Sequence, residues 1–115
     1  MSDRTAILAG FDTYQQAAMK TAIYKHPIFY PGFKLAGEAG EVSEKLGKQL
    51  RDADGDFTDP AFVEAIKKEL GDVLWYVAAL ARDFGINLGD VALANIDKLA
   101  NRQERGVLQG SGDNR

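Results

Sequence analysis

The sequence predicts an all-α protein, a bundle of four helices in one domain. Apolar residues recur at intervals of three and four along most of the chain, which is the period of an amphipathic helix. Short alternating runs of Val, Ile, Thr and aromatic residues, which are typical of strands, are nearly absent. A chain of 115 residues with 45% hydrophobic residues is long enough for one packed core.

The first two helices are expected on either side of a proline-containing loop. Asp12 is a suitable N-cap for the first helix, which should fray at Lys25–Pro27 because a residue before proline disfavours the helical conformation. We expect a loop over residues 25–32 and a second helix from about Pro31-Gly32. Its apolar stripe ends before the Asp-rich loop 52–56 and comprises Leu35, Ala39, Val42, Leu46 and Leu50.

The third and fourth helices carry clearer end signals. Asp59 as cap and Pro60 at the first position predict the start of the third, which Gly85 stops. Its apolar residues, which make it the central helix, are Phe62, Ile66, Leu70, Val73, Val77, Leu80 and Phe84. The fourth is capped by Asn87 and ends at Gly106. Residues 1–105 would then form the domain and residues 106–115 a flexible tail.

Composition excludes several classes of protein. The absence of cysteine excludes a disulfide framework and a thiol nucleophile, and a single histidine, His26, excludes metal sites that need two imidazoles. A net charge of −3 gives no general attraction to nucleic acid or anionic membranes. No apolar run is long enough for a signal or spanning segment. We therefore expect a cytoplasmic protein without nucleic-acid or membrane partners, whose metal ligands are oxygens.

Two acidic pairs are the strongest candidates for chemistry. Glu38 and Glu41 lie three apart on the second helix, and Glu69 and Asp72 lie three apart on the third, each pair beside an apolar stripe. In an antiparallel pairing the four carboxylates would converge and repel one another unless a cation lay between them. Mg²⁺ prefers such oxygen ligands. A single acidic pair of this spacing is more often an ordinary solvated helix face.

The fourth helix offers groups that could contact phosphate. Asn95, Lys98 and Arg102 form one stripe of amide, ammonium and guanidinium, although cations near a helix C-terminus also favour the helix dipole. Lys45 and Lys48 are interpreted mainly as ion-pair partners along the second helix. Tyr76 is a candidate for contact with a base, with a place in the core as the alternative, and Trp75 is more typical of the core.

Three glycines interrupt otherwise strong helices. Gly37, Gly40 and Gly71 each cost roughly 1 kcal/mol relative to alanine in a helix. Close packing of helices would explain them, and so would space for ions and phosphate. The spacing does not decide between these two explanations.

Two segments together resemble the signature segments of the MazG-like, all-α nucleoside triphosphate pyrophosphohydrolases. They are Leu35–Val42 (LAGEAGEV) and Lys68–Tyr76 (KELGDVLWY), which place the family pattern Glu-x-x-Glu and Glu-x-x-Asp on the two acidic pairs. The segment from Asn95 to Arg102 is similar to the family's basic C-terminal helix, so the resemblance covers about Tyr14 to Arg105.

The resemblance implies a magnesium-dependent hydrolase that converts a nucleoside triphosphate to its monophosphate and pyrophosphate. It implies that the four carboxylates hold Mg²⁺, with Mn²⁺ as a substitute, that Asn95, Lys98 and Arg102 contact the triphosphate of the substrate, and that the chain forms a homodimer or homotetramer. Glu41 is a candidate acceptor of the proton of the attacking water. The expected role is removal of unwanted nucleotides from the pool.

Other functions stay open at this point. The same carboxylate pattern serves relatives that act on phosphoribosyl-ATP or on deoxynucleotides such as dCTP and dUTP. A noncatalytic nucleotide-binding module would keep the fold and the metal site without turnover. A di-iron bundle is disfavoured, because such sites need Glu-x-x-His on two helices and His26 is alone.

Overall fold

The computed structural model describes residues 2–115 and is all-helical over that range. Four helices follow one another along the chain: α1 (Asp3–Met19), α2 (Phe29–Asp52), α3 (Pro60–Asp83) and α4 (Leu88–Glu104). The prediction of an all-α, four-helix fold is therefore confirmed. Among the described residues no helix is both long and apolar enough to cross a membrane.

The bounds of α3 and α4 agree with the sequence, whereas α1 was misplaced. Asp59 caps α3 by accepting a hydrogen bond from the Ala61 amide, and Pro60 opens the helix. Ser2, and not Asp12, caps α1, because its hydroxyl accepts from the Thr5 amide at 3.2 Å. Asp12 lies mid-helix and its carboxylate accepts from the Gly89 amide at 2.7 Å.

The loop between α1 and α2 also differs from expectation. α1 ends at Met19, so the loop is 20–28 and not 25–32, and residues 29–32 already belong to α2. Pro31 is accommodated because the first turn of a helix needs no amide donor. Pro27 cannot donate a hydrogen bond and its carbonyl instead accepts from the Phe29 amide at 2.7 Å.

The helix α3 lies at the centre and contacts the three others. Its C-terminal half contributes small side chains that allow close packing, so that Ala78, Ala79 and Ala81 are buried with Leu88. The buried Gln15 of α1 ties these parts together, since its amide donates to the Ala78 carbonyl and its oxygen accepts from the Leu88 amide. The core therefore sits where α1, the end of α3 and the start of α4 meet.

The pair α2 and α3 extends away from this core as an antiparallel hairpin. Lys45 faces Glu69, and Tyr30 near the start of α2 faces Tyr76. Within the described chain α2 contacts α3 and no other helix. The predicted apolar residues of both helices stay partly uncovered as a result, with Leu50 and Leu46 of α2 exposed by 63% and 41% and Leu70 of α3 by 53%.

The molecule is less compact than a typical domain of the same length. Its radius of gyration is 16.9 Å, whereas a compact domain of this size has about 13 Å. The chain exposes 8030 Å², against about 6,200 Å² for a compact monomer of the same mass. Part of the difference lies along the hairpin, because α2 contacts α3 and no other helix of the described chain.

Candidate functional site

The α2–α3 hairpin brings three of the predicted carboxylates together. Glu38, Glu41 and Glu69 each offer one oxygen such that these oxygens lie within 4.8 Å of one another. Glu38 is buried, Glu69 is partly buried and Glu41 is exposed. We call these three residues the carboxylate cluster. Residues spaced for one face of each helix thus meet across the hairpin.

Two oxygens of the carboxylate cluster have no protein partner. Oε2 of Glu38 and Oε2 of Glu69 are buried and accept no hydrogen bond from residues 2–115. Their other oxygens lie 3.9 Å from Lys34 Nζ and 3.7 Å from Lys45 Nζ, respectively. Leaving a buried carboxylate oxygen unpaired is costly. The cluster is thus electrostatically incomplete without a further cation or hydrogen-bond donor.

The cluster suits a hard divalent cation. Mg²⁺ takes carboxylate oxygens and water at about 2.1 Å in octahedral geometry, so two opposite ligands lie about 4.2 Å apart. The three oxygens of the cluster lie within 4.8 Å of one another, so a small movement of side chains would let them ligate one ion. Oxygens without a protein partner and a sequence without cysteine fit an oxygen-ligated ion.

Asp72 lies beside the carboxylate cluster but is not part of it. It is exposed, and it lines a cavity of about 320 Å³ together with Glu38, Trp75 and Tyr76. We call this space the acidic cavity. Asp72 has a shorter side chain than glutamate and follows Glu69 by almost one helical turn. The sequence predicted that four carboxylates would converge, and three of them do.

Trp75 and Tyr76 give the acidic cavity an aromatic wall. Burial raises the pKa of Tyr76 above its usual value, and contact with Tyr30 and the charges of Glu38 and Asp72 raise it further. Tyr76 therefore keeps its proton and remains a hydrogen-bond donor. Trp75 is fixed by its indole N–H, which donates to the Ala18 carbonyl and to Thr21 Oγ1.

The lysines near the cluster differ in their partners. Lys48 pairs with Glu44 at 3.0 Å along α2, as an ion pair within a helix. Lys45 instead crosses to Glu69 on α3. The interpretation as an ion-pair partner along α2 is confirmed for Lys48 and wrong for Lys45, whose partner lies on α3.

The predicted phosphate contacts on α4 lie apart from the carboxylate cluster. Asn95 and Lys98 line a separate cavity of about 530 Å³ whose described lining shares no residue with the acidic cavity. Lys98 Nζ lies 3.4 Å from Asp113 Oδ1. Arg102 is 4% exposed and donates to the Asp113 carbonyl at 3.0 Å. Within one chain these cations thus face the chain's own C-terminal segment.

That segment, 107–115, folds against the end of α4. The Arg115 guanidinium donates to the carbonyls of Val107, Leu108 and Gly112. Lys98 and Arg102 hold the pKa of Asp113 below its usual range, so its carboxylate is charged at neutral pH. The tail was predicted to be flexible, and the structure shows the contacts that it makes with α4.

The glycines beside the cluster face open space. A Cβ added at Gly37, Gly40 or Gly71 would meet no other group of the described chain within 4 Å. Close helix packing within one chain therefore does not explain them. The opposite holds at Gly89, where an added Cβ would lie 2.7 Å from the Leu8 carbonyl oxygen.

Comparison with known proteins identifies the family. The model of the MazG nucleotide pyrophosphohydrolase domain matches residues 33–107, a span that contains both acidic pairs and all of α4. The chain belongs to the MazG family. It is also 46% identical over 112 residues to the Gene 37 protein of Mycobacterium phage L5, with 90% of this chain and 97% of that protein covered. No solved structure gives a significant match.

Around the acidic site of this MazG domain the sequence analysis missed one buried group. Asp83 Oδ2 accepts from the Tyr24 hydroxyl at 2.7 Å and from the Ile28 amide at 2.9 Å. Burial opposes its ionisation, but these hydrogen bonds and Arg82 outweigh burial and keep the pKa of Asp83 below its usual value. An aspartate near a helix C-terminus interacts unfavourably with the helix dipole. That position was the signal in the sequence from which Asp83 could have been found.

Proposed function

We propose that this MazG domain is a magnesium-dependent nucleoside triphosphate pyrophosphohydrolase that helps to clear unwanted nucleotides. The observation that carries the proposal is the carboxylate cluster, in which two buried oxygens lack a protein partner. Membership of the family supplies the reaction class. The reaction adds water across the α–β phosphoanhydride bond and gives a nucleoside monophosphate and pyrophosphate.

The metal ligands in this proposal are the carboxylate cluster and Asp72. A bound Mg²⁺, or Mn²⁺ in its place, would neutralise phosphate charge and make a nearby water more acidic. Glu38 and Glu69 are fixed by burial and by Lys34 and Lys45, which suits ligands that must keep their geometry. Glu41 is exposed and is therefore placed to accept the proton of the attacking water. Asp72 completes the acidic set from the cavity wall.

Substrate contacts divide between the acidic cavity and α4. Tyr76 lines the cavity and keeps its hydroxyl proton, so it can donate to a phosphate or sugar oxygen. Asn95, Lys98 and Arg102 are assigned to the phosphates. Since α4 and α2 make no contact among the described residues, these groups would reach a carboxylate cluster from a second copy of the chain.

A homo-oligomer, either a dimer or a tetramer, is part of the proposal. The chain exposes roughly 1,800 Å² more than a compact monomer of its mass, which exceeds the roughly 800 Å² that each partner buries in a standard interface. The uncovered stripe on the hairpin, including Leu50 and Leu70, is the surface that association would bury. Sedimentation of the wild type and of Leu70→Glu tests this. A monomeric wild type would contradict it.

The activity test is product analysis with a matched variant. Nucleoside monophosphate and pyrophosphate are measured from canonical, deoxy and modified triphosphates, with Mg²⁺ and with chelator, for the wild type and Glu41→Gln. We expect release that requires both Mg²⁺ and Glu41. The control is Glu44→Gln, which removes an exposed carboxylate of the same helix outside the cluster.

The outcomes separate the alternatives. Turnover restricted to phosphoribosyl-ATP, dCTP or dUTP would support the proposed hydrolysis and narrow the range of substrates. Metal-dependent nucleotide binding without product from any of these substrates would overturn the hydrolase and leave a binding module.

A further inference from the structure

The start of α2 is held against the end of α3 by one buried side chain. Asp83 is the last residue of α3, and its side chain is 4% exposed. Its Oδ2 accepts from the amide of Ile28, the residue that precedes α2, at 2.9 Å. We propose that Asp83 is a positioning residue for the metal site, because it fixes α2 on α3 and thereby sets where Glu38 lies relative to Glu69. This inference rests on the proposed function.

Both carboxylate oxygens of Asp83 have protein partners. The Tyr24 hydroxyl donates to Oδ2 at 2.7 Å, beside the Ile28 amide. Arg82 donates to Oδ1 through Nε and Nη2, at 3.3 and 3.2 Å. The same guanidinium donates to the Tyr24 hydroxyl at 3.0 Å, so two of the donors also contact each other. A buried carboxylate whose oxygens are all engaged has a fixed geometry, which suits a group that joins two elements.

Two features of this junction are unfavourable when each is taken alone. Ile28 has φ 68° and ψ −58°, and the Phe29 amide donates to the Pro27 carbonyl across it, which makes a γ-turn. A β-branched residue is strained at such a positive φ. Asp83 places a negative charge at the C-terminal end of α3, where the helix dipole disfavours it. The bond between them compensates for both, and strain held in this way is typical of functional positions.

The first turn of α2 transmits this bond into the helix. The Gly32 amide donates to the Ile28 carbonyl at 2.9 Å. Pro31 is fully buried. A Cβ added at Gly32 would lie 3.9 Å from Cδ1 of Leu80, so the backbone of α2 lies close to α3 here. A displacement of Ile28 would therefore move the first turn of α2 relative to α3.

The position of Glu38 depends on the placement of α2 as a whole. In the described part of the chain its side chain makes no hydrogen bond or ion pair with α3: Oε1 lies 3.9 Å from Lys34 of the same helix, and Oε2 is buried without a partner. Glu38 lies about 15 Å along α2 from Ile28. Since α2 contacts α3 and no other helix of the described chain, contacts with α3 must set its register.

A second polar contact crosses the hairpin and is weaker. Lys45 Nζ lies 3.7 Å from Glu69 Oε1, and the lysine side chain is 39% exposed. An ion pair of this kind contributes little to stability. Glu69 is also a proposed metal ligand, so the pair is not independent of the metal. Asp83 lies outside the carboxylate cluster and can hold α2 in the same place before and after a cation binds.

The test measures metal affinity rather than turnover. Mn²⁺ is titrated into the wild type, Asp83→Ala and Asp83→Asn, and the EPR signal of the free ion gives the dissociation constant. We expect Asp83→Ala to weaken Mn²⁺ binding about tenfold, as is typical for residues that support metal ligands. Asp83→Asn keeps an oxygen that can accept from the Ile28 amide and should retain most of the affinity. Asp83→Ser replaces the alanine variant if that variant does not fold.

Gln15→Ala is the matched control for a purely structural role. Gln15 is also buried, and it bonds to the Ala78 carbonyl and the Leu88 amide in the core between α1, α3 and α4. Urea denaturation should show a loss of stability in Gln15→Ala and in Asp83→Ala, but only Asp83→Ala should lose Mn²⁺ affinity. In the metal-free proteins, residues 29–38 should lose protection from hydrogen exchange in Asp83→Ala and keep it in Gln15→Ala.

The outcomes separate this inference from the proposed function. Mn²⁺ affinity that falls equally in Asp83→Ala and Gln15→Ala, or in neither, would overturn the positioning role and leave the metal site intact. An Asp83→Asn variant as weak as Asp83→Ala would contradict the part assigned to the hydrogen bond with Ile28. A wild type that binds no Mn²⁺ would contradict the proposed function and this inference with it. Selective loss of affinity in Asp83→Ala, in a protein that releases no pyrophosphate, would support the positioning role and contradict the hydrolase.

Discussion

The molecule carries two charged regions that differ in how complete they are within one chain. On the α2–α3 hairpin, Glu38, Glu41 and Glu69 converge and leave two oxygens without a protein partner. On α4, Lys98 and Arg102 already have anionic or carbonyl partners in the segment 107–115. The acidic region thus lacks a cation, whereas the basic region is partly occupied by the chain itself, with Arg102 Nε as its one buried nitrogen without a partner among the described residues.

The difference follows from how each region is assembled. The hairpin pairs two consecutive helices joined by a short loop, so helical spacing alone decides which side chains meet. The position of α4 depends on contacts with α1 from the far end of the sequence, such as the bond between Asp12 and the Gly89 amide. Local spacing therefore predicts a shared face across a hairpin better than it predicts the docking of a distant helix.

The largest expected effect is at the carboxylate cluster. Glu38→Gln keeps the shape of the side chain but removes the charge of a buried ligand, so turnover should fall by at least about 100-fold and metal affinity should fall with it. Steady-state kinetics and calorimetric titration of Mg²⁺ measure the two effects. Glu44→Gln, on the exposed side of α2, is the control. Unchanged activity of Glu38→Gln would contradict the site assignment.

The two regions should also differ in how they tolerate an added methyl group. Gly89→Ala would place Cβ 2.7 Å from the Leu8 carbonyl oxygen and 2.8 Å from Asp12 Oδ1, so unfolding free energy should fall by about 2–3 kcal/mol. Gly47→Ala on α2 meets nothing of the described chain within 4 Å and should gain about 0.5–1 kcal/mol. Urea denaturation measures both. Equal changes would show that α4 can shift away from α1 without cost.

A smaller effect is expected from the basic region. Lys98→Ala should raise KM about tenfold with little change in kcat, because it removes binding that ground and transition states share. Lys67→Ala, which removes an exposed lysine paired with Glu64 on α3, is the control. A fall in kcat at constant KM would assign Lys98 to the transition state instead.

The sequence predicted most of the fold from local signals. Asp59, Pro60 and Gly85 bound α3 as expected because a cap, a first-turn proline and a left-handed glycine each act within a few residues. The start of α1 was wrong because Asp12 has the side chain of an N-cap but uses it on Gly89, 77 residues away. No local pattern reveals such a partner.

The candidate site also has features that local sequence signals predict and features that depend on distant contacts. The carboxylate cluster was predictable because its members repeat at helical spacing on neighbouring helices. The bonds from Tyr24 and Ile28 to Asp83 were not, since they depend on a loop whose γ-turn places a β-branched residue at positive φ. Propensity argues against that conformation, so it becomes visible only once the tertiary contacts are known.

The smallest predicted effect tests whether the tail competes with substrate. Asp113→Asn removes the carboxylate that Lys98 and Arg102 face, so KM should fall about threefold if phosphate must displace it. The melting temperature should stay the same, because the Asp113 side chain is 86% exposed and exposed ion pairs contribute little to stability. Asp97→Asn, which breaks an exposed pair with Arg4, is the control. If Lys98→Ala raises KM while Asp113→Asn leaves KM unchanged, the contact of the tail with Lys98 and Arg102 does not measurably weaken substrate binding.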